Sequence, residues 1–188
     1  MQGMQSTTYI DTRGLDVTHP AFSQVVVRGI APGGGLYVPA SLPAFTLPEI
    51  LAFAEWPYWR RAAAVFSRFG VDFSADHVDA LMQTAYGPQW DDDRIAPVVE
   101  VVAGMHVLEL WHGPTSAFKD MALQCMPLFF SAAVDTMQSS GALADDYLVL
   151  VATSGDTGKA ALEGFADRPH TGIIVFYPAG GVSDVQRL

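Results

Sequence analysis

Between residues 75 and 86 the apolar positions Val78, Leu81, Met82 and Ala85 fall three and four apart, the spacing of one helix face, and Ser74 stands where an N-cap would. Two comparable stretches precede it, Leu47 to Glu55 and Tyr58 to Phe69, the second closed by Gly70. Upstream, Phe22 to Arg28 is a short segment closed by Gly29. It leads into "APGGGLYVP", whose three successive glycines permit backbone conformations closed to other residues. The first half is therefore expected to be a mostly helical unit with an irregular start. Gly87, Pro88 and the acidic triplet Asp91, Asp92 and Asp93 mark its end, so the predicted domains are 1–95 and 96–188.

The rhythm then changes. "PVVEVVAGMHVLELW" predicts two short strands turning at Ala103 and Gly104, and "SAFKDMALQCMPLFFSAAVDTMQ" predicts a long helix. Pro127 inside that helix removes a hydrogen bond at a cost of ~3 kcal/mol, so a kink or break is expected there. "YLVLVA" is nearly all apolar, the pattern of a parallel strand covered on both faces. It turns through "TSGDTG" into a helix expected over Lys159 to Ala166, and "GIIVFY" is a second such strand. The order predicts an α/β fold: a helical N-terminal domain, then part of a parallel-sheet α/β domain. Ser183 and Gln186 have capping-box spacing and open a helix that the chain stops short of completing. With two or three parallel strands in hand, a truncated sheet is expected, the front part of a longer protein. Apolar surface bared in that way is expected to promote self-association.

Half of the 188 residues are hydrophobic, enough for a packed core. The formal net charge of −10, from twenty acidic and ten basic residues with no basic run, disfavours nucleic acid or an anionic membrane surface as a partner. The single cysteine, Cys125, lies among apolar neighbours and reads as a buried, inert thiol in a reducing compartment. Neither a secretion signal nor a bilayer-spanning run is visible, so a cytoplasmic location is expected. His19, His77, His106 and His170 are scattered without zinc-site spacing, and Asp91 to Asp93 lack the ligand alternation of a calcium loop. No metal is expected, and the acidic run reads as a solvated linker. Trp56, Tyr58 and Trp59 read as packing.

Two segments carry candidate chemistry. "TSGDTG" follows a strand and opens a helix, a favourable seat for a carboxylate or phosphate, although a plain strand-to-helix turn has the same look. It is not a nucleotide P-loop, because Thr153 stands where a glycine is required and Ala160 where a hydroxyl is. The other is "HGPTSAFKD", which holds Lys119, one of only two lysines. If the helix begins near Ser116, its dipole disfavours an ammonium in the first turn by roughly 0.3–1 kcal/mol. Phe118 and Met121 add desolvation, and both effects favour the neutral, nucleophilic amine that Schiff-base chemistry needs. The plainer alternative is a surface lysine paired with Asp120.

"ELWHGPTSAFKDMALQ" and "LVATSGDTGKAALEGFAD", in this order, resemble the two signature segments of threonine synthase, a pyridoxal-phosphate family of fold type II, tryptophan synthase β-like. "YIDTRG", "GIAPGGGLYVP" and "VFYPAGGVSDVQRL" are also similar to family segments, so nearly the whole chain aligns with the family's N-terminal portion. The resemblance implies pyridoxal 5'-phosphate as cofactor. Lys119 matches the lysine that holds it covalently and then moves protons at the substrate's α and β carbons. Ser154, Gly155, Asp156 and Thr157 match the loop beside the cofactor ring, with Asp156 nearest the ring and Ser154, Gly155 and Thr157 receiving the substrate carboxylate. Lys159 matches a position that can serve the substrate's phosphate or lie solvated on its helix, and His112 is read as shaping the loop. The implied reaction converts O-phosphohomoserine and water to L-threonine and phosphate. The family's phosphate cradle falls beyond Leu188, which implies that this chain alone is inactive. Departures are Asp11 where serine is expected, glycine in "APGGG" where aspartate is usual, Pro127, and alanine in "YPAGG" where a basic residue is common. Another fold type II lyase, such as a serine or threonine dehydratase, and a noncatalytic relative that binds a phosphorylated metabolite are the rivals.

Overall fold

The computed structural model describes residues 8–153 and 155–183. Its elements run β1 (Tyr9–Asp11), α1 (Phe22–Arg28), β2 (Tyr37–Pro39), α2 (Leu47–Ala52) with a 3-10 turn at Phe53–Glu55, α3 (Tyr58–Arg68), α4 (Ala75–Ala85), β3 (Val98–Val102), β4 (Met105–Leu108), α5 (Asp120–Leu123), α6 (Met126–Ser139), β5 (Tyr147–Ala152), α7 (Asp156–Phe165) and β6 (Thr171–Phe176). The three early helices lie where the apolar spacing puts them. The Ser74 hydroxyl caps α4 by accepting the His77 N–H at 3.2 Å.

The irregular start is a clasp that the sequence pattern does not reveal. β1 pairs antiparallel with β2, from Tyr9 against Pro39 to Asp11 against Tyr37. Asp11 accommodates its burial by accepting the N–H groups of Arg13, Leu15 and Asp16 at 3.0–3.2 Å. Those bonds hold its carboxyl below the usual carboxylate range. Gly35 is needed at this spot, since a Cβ there would lie 1.7 Å from Asp11 Oδ1.

The main core joins α3 and α4 to α6. Met82, Ala85 and Ala133 are fully buried, and the Phe129 ring meets Phe22 at 5.2 Å and Phe66 at 4.8 Å between centroids. Residues from both sides of position 95 thus share one apolar interior. Cys125 is buried within it, and burial pushes its thiol pKa up.

The predicted long helix is broken into α5 and α6, with Pro127 in the first turn of the second. Pro127 sits where its missing N–H would have had no intrahelical partner, and Gly164 of α7 packs onto the Leu123 carbonyl at the end of α5 so closely that a Cβ there would lie 2.0 Å away. α7 therefore crosses at the break between α5 and α6.

β5 and β6 pair in parallel from Tyr147 against Thr171 to Ala152 against Phe176. Tyr147, Val149 and Ile173 face Phe130, Val134 and Phe165 of α6 and α7. The opposite face carries Leu148, Leu150, Ile174 and Phe176 and is open, with Leu150 63% exposed. The strand pattern is that of a sheet covered on both faces, but among the described residues only one face is covered, which leaves bare the apolar surface expected of a truncated sheet. The β3–β4 hairpin forms at Ala103 and Gly104 as predicted, as its own antiparallel pair, so the parallel sheet holds two strands among the described residues.

Candidate functional site

Lys119 lies in a loop that three constraints hold in shape. Asp120, fully buried, accepts the Thr115 N–H at 2.8 Å and the Thr115 hydroxyl at 2.6 Å. Ser116 adopts a left-handed φ of 57°, and its N–H bonds the Gly113 carbonyl at 3.0 Å. Gly113 passes so close to Asp120 that a Cβ would lie 2.5 Å from the Asp120 Cβ. Because Ser116 is left-handed, α5 starts at Asp120 and not near Ser116, which leaves Lys119 at the N-cap. The dipole of a four-residue helix is small, so the predicted field on the amine is weaker than a long helix would supply. Lys119 is half-buried, with Nζ 4.2 Å from the Phe118 ring centroid, but that ring is 57% exposed, so the contact is a cation–π contact rather than the desolvating one expected. Asp120 is bonded to Thr115.

The second segment starts its helix three residues earlier than expected. α7 begins at Asp156 with Gly155 as N-cap, because an acidic first residue complements the helix dipole and Gly155 adopts an extended geometry. Asp156, Thr157 and Lys159 therefore belong to the first turn of α7. Gly158 presses that turn against the sheet, where a Cβ would meet Thr153 Cγ2 at 2.4 Å and Val175 Cγ1 at 2.8 Å. Ser154 lies outside the described residues.

Both segments border one groove of about 500 Å³. Pro114 and Thr115 come from the lysine loop, Thr153, Gly155, Gly158 and Lys159 come from the β5–α7 turn, and Tyr177 and Val182 also line it. Lys119 is four residues along from Thr115.

His112, expected only to shape the loop, is bonded at both ring nitrogens. Nδ1 lies 2.5 Å from Asp91 Oδ1, and Nε2 lies 2.7 Å from Glu109 Oε2. The acidic run is accordingly more than a solvated linker. Asp91 reaches His112, and Asp92 accepts from the Arg94 backbone N–H and guanidinium at 2.6–3.0 Å, which holds its carboxyl at a pKa of about 2. Sequence reasoning missed Thr115, Asp120 as its anchor, and the partners Asp91 and Glu109. Only Glu109, three residues before His112, stands at a spacing that could have signalled contact. Among the described residues no three His, Cys, Asp or Glu side chains gather as a metal site, and no helix is long and apolar enough to cross a membrane.

Residues 8–86 match the family model described as "Threonine synthase N terminus". The chain is 38% identical to threonine synthase of Pseudomonas aeruginosa over 182 residues, 95% of this chain and 37% of that protein. It is 35% identical to human "Threonine synthase-like 1" over 201 residues, 99% of this chain and 26% of that protein. The chain belongs to the threonine synthase family. A crystal structure of pyridoxal-phosphate-bound threonine synthase from Brucella melitensis superposes with a TM-score of 0.85 at 38% identity, covering 96% of this chain and 38% of that one. The yeast threonine synthase structure also gives 0.85, at 28% identity. This member spans 26–37% of the length of the curated threonine synthase relatives it matches, their N-terminal portion. The mixed α/β architecture agrees with that of these threonine synthase structures.

Proposed function

We propose that the chain supplies the lysine-bearing part of a threonine synthase site, which converts O-phospho-L-homoserine and water to L-threonine and phosphate. The observation that carries the reading is that the Lys119 loop and the start of α7 line one groove, bringing a half-buried amine's loop beside a helix N-terminus. The α7 N-terminus and Lys159 at the groove fit an anionic substrate, and the adjoining lysine loop carries the amine that an aldehyde cofactor needs. Pyridoxal phosphate, when bound, supplies the electron sink that makes the substrate's α and β protons removable. Lys119 Nζ would hold the cofactor and then take and return protons at those two carbons. The N-terminus of α7, through Gly155 and Thr157 together with Ser154, would receive the substrate carboxylate, where the helix dipole favours negative charge. Asp156 would border the cofactor ring, and Lys159 would offer a cation to the substrate's phosphate. In this reading residues 1–95 form the helical domain and 96–188 begin the cofactor domain. The chain alone is inactive because it holds only part of the site, and its open sheet face promotes self-association.

With two lysines in the chain the test is direct. Treatment with pyridoxal phosphate, borohydride reduction and peptide mapping should label Lys119 ahead of Lys159. In a complete threonine synthase carrying this segment, Lys119→Ala should stop phosphate release from O-phosphohomoserine. Preferential label on Lys159, or normal turnover without Lys119, would defeat the assignment.

A further inference from the structure

Asp91 and Glu109 present carboxylate oxygens, which only accept, to the two ring nitrogens of His112. Both bonds are complete only when each nitrogen carries a proton, so the geometry selects the imidazolium. The same two chain segments are joined through the backbone. The Asp91 N–H bonds the His112 carbonyl at 3.0 Å, and the Glu109 N–H bonds the Pro97 carbonyl at 2.9 Å. His112 therefore rivets the entry of the lysine loop to residues 91–97, while Asp120 anchors its exit through Thr115.

We propose that His112 is a positioning residue for Lys119: as a cation clipped between Asp91 and Glu109, it fixes the start of the loop whose end presents the amine, so that presentation depends on the ring's charge. The importance of that presentation rests on the role proposed above for Lys119. The clip itself does not.

The charged groups facing the ring are Asp91 and Glu109, in direct contact, and Asp92, which feels the ring's charge while bonded to Arg94. Trp111 packs beside it at 5.7 Å between centroids. Glu109 and then Asp91 raise the imidazole's pKa above its ordinary 6.5. The sign follows. A raised folded value means the clip is fully formed below about 6.5 and is lost as pH rises through the higher folded value. The Glu109 side chain is 21% exposed and that of Asp91 74%, so the Glu109 bond is the less screened and the stronger half.

The experiment follows the His112 ring protons by NMR across pH 5 to 9, together with hydrogen exchange of the amides in residues 113–116 expressed as protection factors. The expected result is a midpoint above 6.5 and a several-fold fall in protection across that same midpoint. In His112→Gln, protection should be lower at pH 6 and flat with pH, and Glu109→Gln should lower the midpoint more than Asp91→Asn does. A midpoint at or below 6.5, or an unchanged pH profile of protection in His112→Gln, overturns the clip. The two carboxylate variants keep the question decidable if the histidine variant does not fold. The rate of pyridoxal-phosphate labelling at Lys119 then separates the two readings. A titrating clip with no label at Lys119 refutes the site assignment alone, whereas labelling with the same pH dependence in wild type and His112→Gln refutes the positioning role alone.

Discussion

Met82 and Leu150 are both large apolar residues on regular elements, yet the first is fully buried and the second is 63% exposed. Met82 belongs to a helical interior that α3, α4 and α6 build together with α1 and the loops around Phe73 and Trp90, with Phe129 as the piece inserted from later in the chain. Leu150 belongs to a two-stranded parallel sheet that has α6 and α7 on one side and, among the described residues, no element on the other. A helix bundle closes with a few neighbours on all sides of its apolar stripes. A parallel sheet needs cover on two faces, which a segment spanning about a third of its relatives does not hold. The groove is lined by residues from both regions, with the lysine loop following the hairpin and the turn into α7 following the sheet.

The sharpest way to break the contrast is Phe129→Ala. It empties the shared interior and should cost about 3–5 kcal/mol in denaturant unfolding. A loss below 1 kcal/mol would mean that α6 does not close the bundle. Asp120→Ala leaves the Thr115 donors without their acceptor, and a loss of about 1–3 kcal/mol is expected, with hydrogen exchange rising first at 113–116. Uniform loosening across the chain would contradict a local anchor. Gly164→Ala pushes a methyl against the Leu123 carbonyl and should cost about 1–3 kcal/mol, with α7 and β6 exchanging faster than α3 and α4. The smallest effect belongs to the open face: Leu150→Thr should change stability by less than about 0.5 kcal/mol while lowering binding of an apolar dye. A large destabilisation there would show that the face is covered after all.

Much of the helical half was legible because its pattern is contiguous. The stripe Val78, Leu81, Met82, Ala85 and the Ser74 cap define α4 from neighbours alone, and Gly104 and Pro127 announce a turn and a break by their own backbone chemistry. The lysine motif was legible as chemistry through resemblance, but its local shape was not. Residues 116–119 read as helix because their side chains permit it. Ser116 turns left-handed because Asp120 captures Thr115, a bond that helical spacing gives no reason to expect. The partner of His112 at position 91 is twenty-one residues away, and nothing in an acidic triplet tells a solvated run from one end of a clip.

By itself the amino-acid order determined the three early helices, the hairpin, the two parallel strands, and the two chemical motifs with their sequence in the chain, since each depends on residues a few positions apart. Tertiary structure alone decided which motifs share a groove, which face of β5 and β6 stays open, and what holds the two ends of the lysine loop. The groove and the open face are set between residues far apart in sequence by how α6 and α7 pack, and the loop is held by side-chain bonds, from Asp120 to Thr115 and from Asp91 to His112, that local propensity does not signal.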